Sequence, residues 1–274
     1  MLLLPSFAAQ RMKHPVPILL YHAVSEAGVP GSTPVAVFRG HMEFLEDAGY
    51  ETLGLSRFEA IVEGREESSP RHVLITFDGC FRSLYSAVWP VLREHGFSAT
   101  MFVPAGTVQR DDSPSRRRER LNWRELQEMR SGGGIDIQCR GYSEGSFRPG
   151  VRFGGRWRCD RVRSDLAIAR EALAKNLDIP AESLHHLAWP GGYRDTELDQ
   201  LAAELGFRHR YVVWRGAVTR HGATDRLPRL RCDGLSERGF ARQLRWLSHS
   251  GGAEMANFAG TLRSWSESTL AYCR

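Results

Sequence analysis

The chain has 274 residues, 42% of them hydrophobic and 25% charged, with a net charge of +5. This is an ordinary globular composition; it excludes a disordered or low-complexity chain and suits one large domain or two small ones. Only Lys13 and Lys175 are lysines, so arginine carries nearly all of the positive charge. Either an arginine-favouring coding bias or a surface for anionic partners explains this, and no nucleic-acid-binding motif accompanies it, so nucleic acid is not expected as a partner.

The amino-terminal run Met1–Leu4 lacks a basic start and is broken by Pro5, a poor secretion signal. No stretch approaches the roughly 18 apolar residues of a membrane span. The expectation is a cytoplasmic protein with no membrane span. Five cysteines (Cys80, Cys139, Cys159, Cys232 and Cys273) are an odd number without zinc-finger spacing, which fits free thiols in a reducing compartment.

In chain order, Val16–Tyr21 reads as a short buried strand. Phe38, Met42 and Leu45 recur at helical spacing, and Gly49 ends that helix. His72–Phe77 is a second buried strand. Leu84–His95 reads as a helix, with Pro90 implying a kink or a late start. Ala99–Val103 is a strand, Trp123–Arg130 a helix and Ile135–Gln138 a strand. Ser164 is a candidate N-cap for a helix running to Leu177. Leu187–Trp189 is a strand, Thr196–Leu205 a helix, Tyr211–Trp214 a strand and Glu237–Leu247 a final helix. Two polar, breaker-rich stretches, Arg110–Arg120 and Glu144–Arg163, are solvated loops or lids over a site.

Strand–helix alternation argues for a mostly parallel sheet, and the number of units favours closure into a barrel. A doubly wound open sheet is the alternative, but no glycine-rich phosphate loop follows the first strand. In a barrel, functional groups sit where strands end, which directs attention to His22, Asp78, Arg140 and the Pro190–Tyr193 turn.

The segments Leu19–Val24 (Leu-Leu-Tyr-His-Ala-Val), Ile75–Asp78 (Ile-Thr-Phe-Asp), Ala99–Val103, Trp189–Tyr193 (Trp-Pro-Gly-Gly-Tyr) and Leu227–Leu230 (Leu-Pro-Arg-Leu) are each short. Their order and spacing together resemble the polysaccharide deacetylases, also called NodB-homology domains or carbohydrate esterase family 4. The likeness runs from about Pro15 to Gly234 and is greatest to the branch that opens with Tyr-His and acts on poly-N-acetylglucosamine-type polymers. It implies an α/β fold, a single distorted barrel of about seven strands. The expected layout is an N-terminal extension over 1–14, a barrel over 15–250 and a C-terminal tail over 251–274.

The resemblance also implies a metal ion, often zinc, held by one Asp and two His beside an Asp base. Here the family's Thr-Phe-Asp-Asp-Gly-Tyr reads Thr76-Phe77-Asp78-Gly79-Cys80-Phe81. The base position survives as Asp78, and the first ligand position is Gly79. The two histidine positions fall on Arg140 and Glu144. Arginine is always cationic and does not ligate a divalent metal. The expectation is therefore no metal and no cofactor, with an Arg140–Glu144–Asp78 ion cluster in their place. Metal held by other groups, such as Glu144, Asp136 or His22, is the alternative.

The Trp189–Tyr193 segment matches the family's turn, with Gly191 as the backbone oxyanion donor. Ala188 stands where many members keep an arginine that orients the base, so Asp78 is expected to lack that partner. His22, Trp189, Pro190 and Tyr193 are candidate substrate-binding residues. Trp89, Trp189 and Trp214 either line a sugar-stacking groove or pack in the core. His185 and His186 read as structural. Cys80 and Cys139 adjoin former ligand positions and are two buried thiols or a pair across the pocket.

Three functions fit these residues. The first is a non-catalytic saccharide-binding or regulatory relative. The second is a metal-independent amide hydrolase with Asp78 as base and Arg140 polarising the carbonyl. The third is a metal-dependent N-deacetylase with a rebuilt ligand set. The expected partner is a saccharide or N-acetylated small molecule; the sequence leaves the oligomeric state open.

Overall fold

The computed structural model describes residues 12–26, 31–110, 119–143, 155–192, 196–221 and 225–260, with the side chains of 155–158 left aside. The strands are β1 (Val16–Tyr21), β2 (Val24–Ser25), β3 (Thr33–Pro34), β4 (Glu51–Thr52), β5 (His72–Asp78), β6 (Ala99–Val103), β7 (Ile135–Cys139), β8 (His186–Ala188), β9 (His209–Val212), β10 (Ala217–Val218), β11 (Arg226–Pro228) and β12 (Leu230–Arg231). The helices are α1 (Val35–Asp47), α2 (Leu55–Val62), α3 (Trp89–Glu94), α4 (Trp123–Ser131), α5 (Gly155–Leu177), α6 (Thr196–Glu204) and α7 (Glu237–Leu247).

Parallel strands follow one another in the order β1-β5-β6-β7-β8-β9-β11, and β12 returns to β1. Leu227 on β11 pairs with Tyr211, while Leu230 on β12 pairs with Leu19. The chain thus changes partners at Arg229, and that changeover closes the ring. This is the distorted parallel barrel expected of the sequence.

Period-two alternation sorts the strand residues into two layers. Val73, Ile75 and Phe77 of β5 face outward into the larger apolar cluster, shared with α1, α4 and α5. Leu74 instead joins Ile18, Phe102, Ala188, Tyr211 and Leu227 in a second cluster that fills the barrel. Helix α2 plugs this interior, burying Leu55, Phe58, Ile61 and Val62. The alternation of β5 carries Thr76 and Asp78 inward above that apolar floor.

Several local expectations change. Pro90 has no amide hydrogen to donate, and the chain before α3 is a wide π-helical turn, Leu84–Val88, with the proline in the first turn of α3. Ser164 is not an N-cap: α5 begins at Gly155, and the Ser164 hydroxyl donates back to the Asp160 carbonyl at 3.0 Å. Residues 155–163 are therefore helix rather than lid, while 144–154 lie outside the described residues, as does most of the Arg110–Arg120 stretch. Residues 250–260 are helical, and Asn257 bonds both the amide and the carbonyl of Ala217 on β10, at 3.2 and 2.9 Å. Among the described residues no helix is long and apolar enough to cross a membrane.

Candidate functional site

Asp78 ends β5, Arg140 follows β7, His22 follows β1, and Arg229 stands between β11 and β12. All four therefore lie at the carboxyl ends of parallel strands. Asp78 is buried, its side chain 1% exposed, and it is held by two guanidinium groups. Arg229, 0% exposed, donates from Nη1 to Oδ1 at 2.6 Å and from Nη2 to Oδ2 at 2.8 Å, a bidentate pair. Arg140 donates from Nη1 to the same Oδ2. The Arg229 guanidinium also lies over the Phe102 and Tyr211 rings, 5.6 and 5.8 Å from their centroids, so the apolar floor of the barrel carries it.

Burial pushes the Asp78 carboxyl up, but the charges of Arg140 and Arg229 and the Arg229 hydrogen bonds outweigh it and lower the carboxyl to about 2. Asp78 is thus a carboxylate at every ordinary pH. It does not lack an arginine partner: Arg229 supplies from the barrel seam what Ala188 cannot. Arg229 was missed as a site residue. Its signal is the Leu-Pro-Arg-Leu segment, in which an arginine stands between apolar neighbours and, once buried, must find a carboxylate.

Beside this cluster, His22 Nδ1 meets Asp233 Oδ2 at 2.7 Å, and the His22 backbone amide donates to Oδ1 at 3.2 Å. Asp233 also accepts from the Thr33 hydroxyl at 3.3 Å and from Arg231 Nε at 3.2 Å. Burial raises the Asp233 carboxyl, and the His22 contacts more than reverse this and hold it below the usual range. The His22 side chain keeps 28% exposure, against 5% for Asp233.

The structure separates other candidates from this end of the barrel. Asp136 sits near the start of β7, and its carboxylate accepts the Leu55 amide of α2 at 2.8 Å. It lies four residues before Arg140, about 13 Å along a strand, so it does not join Asp78. Trp189 is 1% exposed and donates from Nε1 to Asp199 Oδ1 at 2.9 Å. Asp199 is also paired with Arg226 at 2.6 Å. Trp189 therefore packs in the core and ties the strand end to α6, with no open face for a sugar. Pro190 is buried as well, and Gly191 is exposed with φ +70°. Glu144 and Tyr193 lie outside the described residues.

Cys80 and Cys139 each have a partner of their own, the Leu121 carbonyl and the Gly141 amide. Burial pushes both thiols up to about 12, so neither is a thiolate nucleophile or a ready metal ligand.

The positions equated with the family's metal ligands can be tested by donor chemistry. Gly79 offers no side chain, its φ is +116°, and a Cβ there would lie 2.7 Å from the Phe81 ring. Arg140 offers only donors and sits on Asp78. The remaining carboxylate is shared between two fixed cations. The described side chains here do not fit a divalent cation. Gly79→Asp is expected to cost about 1–3 kcal/mol of stability from the positive φ, with the ring contact adding to it. Denaturant unfolding of this variant checks the cost; an unchanged midpoint would mean that the segment re-folds around the new side chain.

Solved structures share this architecture. IcaB from Ammonifex degensii superposes with a TM-score of 0.73 at 21% identity, covering 85% of this chain and 98% of that one. The Streptococcus pyogenes deacetylase PplD, in complex with acetate, gives 0.70 at 18% identity, covering 84% and 98%. The fold is thus the barrel of polysaccharide deacetylases. The family model described as Polysaccharide deacetylase matches residues 65–209, and the chain belongs to that family. YxkH of Bacillus subtilis (strain 168), which carries the polysaccharide deacetylase name, is 36% identical over 88 residues, spanning 32% of this chain and 31% of that protein.

Proposed function

We propose that this member of the family has exchanged its metal centre for an arginine-clamped aspartate and acts in carbohydrate metabolism as a saccharide-binding or regulatory relative. The observation that carries the reading is the state of Asp78: 1% exposed, with both oxygens held by Arg229 and one also by Arg140. Two fixed positive charges repel a divalent ion from the place where the family keeps one, and they neutralise the carboxylate without it.

The same clamp weighs against the metal-independent amidase. A general base works best with a pKa near the operating pH and must reach the proton that it takes. Asp78 is lowered to about 2 and is sealed from solvent. A rebuilt metal set is disfavoured by the placement of Asp136 at the other end of the strand and by the engagement of His22 with Asp233. The family's ligands supply the saccharide class: an N-acetylated glucosamine polymer or its oligomers, meeting the barrel mouth near His22.

The reading is tested by calorimetric titration of N-acetylated chito-oligosaccharides into the protein, with acetate assayed in the recovered cell. Saturable heat without acetate supports it. Acetate that appears without metal and disappears in Asp78→Asn would favour the amidase. No binding of any chain length would remove the saccharide role.

A further inference from the structure

A second polar constellation lies at the opposite end of the barrel. Glu59 projects from α2, and His185 and His186 stand at the start of β8. Successive residues of a strand point to opposite faces. Here the chain leaves a 3-10 turn, Ala181–Ser183, through Leu184 at ψ 70°, and both rings turn to the same carboxylate. One carboxylate oxygen and one nitrogen from each ring lie within 4.8 Å of one another.

The far side of the His185 ring fixes what its near side presents. His185 Nδ1 lies 3.0 Å from the Glu182 carbonyl, which only accepts, so Nδ1 carries the hydrogen. In the neutral ring Nε2 then holds a lone pair, aimed at Glu59. His186 Nδ1 meets the Tyr211 hydroxyl at 2.9 Å, and its Nε2 is 2.5 Å from Glu59 Oε1. The His209 ring stacks on His186, 4.6 Å between centroids, and holds it in place. Outer hydrogen bonds of this kind set the tautomer and orientation of histidines that ligate metals. The Tyr211 hydroxyl can donate or accept, so neutral His186 faces Glu59 with either an N–H or a lone pair. The lone pair of neutral His185 meets the same carboxylate oxygen, and a proton or a metal ion must sit between those two acceptors.

The geometry points to a zinc-type divalent transition-metal site formed by Glu59, His185 and His186. Two imidazole nitrogens and one carboxylate oxygen are three of the four ligands of a tetrahedral site. Glu59 and His185 keep 18% and 21% exposure, which leaves the fourth position open to solvent. The ion would fasten α2, the plug of the barrel floor, to β8. The competing occupant is a proton on His185, forming an ion pair with Glu59.

Chelator-stripped, tag-free protein is titrated with zinc and followed by calorimetry and thermal unfolding, with cobalt in parallel because its visible bands report tetrahedral ligation. The site predicts one zinc ion per chain and a zinc-dependent rise in Tm. It also predicts an affinity loss of about 100-fold or more in both Glu59→Gln and His185→Gln, since loss of an outer partner alone costs about 10–100-fold. His185 is partly exposed, so its variant is expected to keep the wild-type far-UV circular dichroism if Glu59→Gln does not. Absence of saturable zinc binding by the wild type, or unchanged binding in a folded His185→Gln, overturns the proposal in favour of the ion pair.

Discussion

Asp78→Asn is expected to lower the unfolding free energy by about 3–5 kcal/mol, the cost of removing one partner from a buried ion group. The change keeps the shape but takes away the only charge that the Arg229 guanidinium meets in its bidentate contact, and Arg140 loses the same partner. Both cations stay buried, at 0% and 8% exposure, so water cannot replace the carboxylate. A domain has only about 5–15 kcal/mol in total, so the loss is visible as a large fall in the urea midpoint. Replacing the whole cluster, with Asp78→Leu, Arg140→Met and Arg229→Met together, is expected to recover most of it, because the buried carboxylate and the two arginines that clamp it are removed together.

The pH dependence has a definite sign. The Asp78 carboxyl is depressed in the folded state, to about 2 from an ordinary value of 3.8. Its contribution, about 2 kcal/mol, is present above pH 4 and is lost as pH falls from about 4 towards 2. Asp78→Asn should flatten the wild-type stability curve in that window. A variant as stable as the wild type, with the same acid slope, would show that the arginines are neutralised elsewhere.

Trp189→Ala is the other large effect, a loss of about 3–5 kcal/mol. Trp189 is fully packed, and its removal leaves a cavity and takes the indole donor from Asp199, whose carboxyl burial already pushes up. The consequence separates packing from sugar stacking. Trp189→Phe fills most of the space and should keep the saccharide affinity of the wild type while losing stability. A fall in affinity at unchanged stability would put the indole in the binding groove.

The fold was legible because its strands are buried on both faces. Val16–Tyr21, His72–Asp78 and Ala99–Val103 are apolar runs that no amphipathic helix would show, and their ends agree with the sequence reading to within a residue or two. Helix α2 escaped, although Leu55, Phe58, Ile61 and Val62 carry its period, because eight residues give too short a window. The start of α5 escaped for a different reason. Ser164 is a good cap in isolation, but here a stretch rich in Gly and Arg before it is already helical, and its hydroxyl bonds within the helix.

At the site, Asp78 and Arg140 were legible from their places at the end of β5 and just after β7. Their geometry depended on residues far away in sequence. Arg229 lies 151 positions from Asp78, and Asp233 lies 211 from His22. Barrel closure brings these together, and no local pattern records it. Trp189 shows the converse limit: a strand-end tryptophan reads equally as platform or strut until its indole partner, Asp199, is located.

We propose that an arginine clamp has replaced the family's metal centre. The most direct test is acetate release from N-acetylated chito-oligosaccharides by tag-free protein, with and without added zinc, in the wild type and in Glu59→Gln. No acetate above background is expected in any of the four conditions, whether or not zinc binds at the far end of the barrel. Zinc-dependent acetate release that persists in Glu59→Gln would contradict it, and would mean that a working metal centre survives beside Asp78.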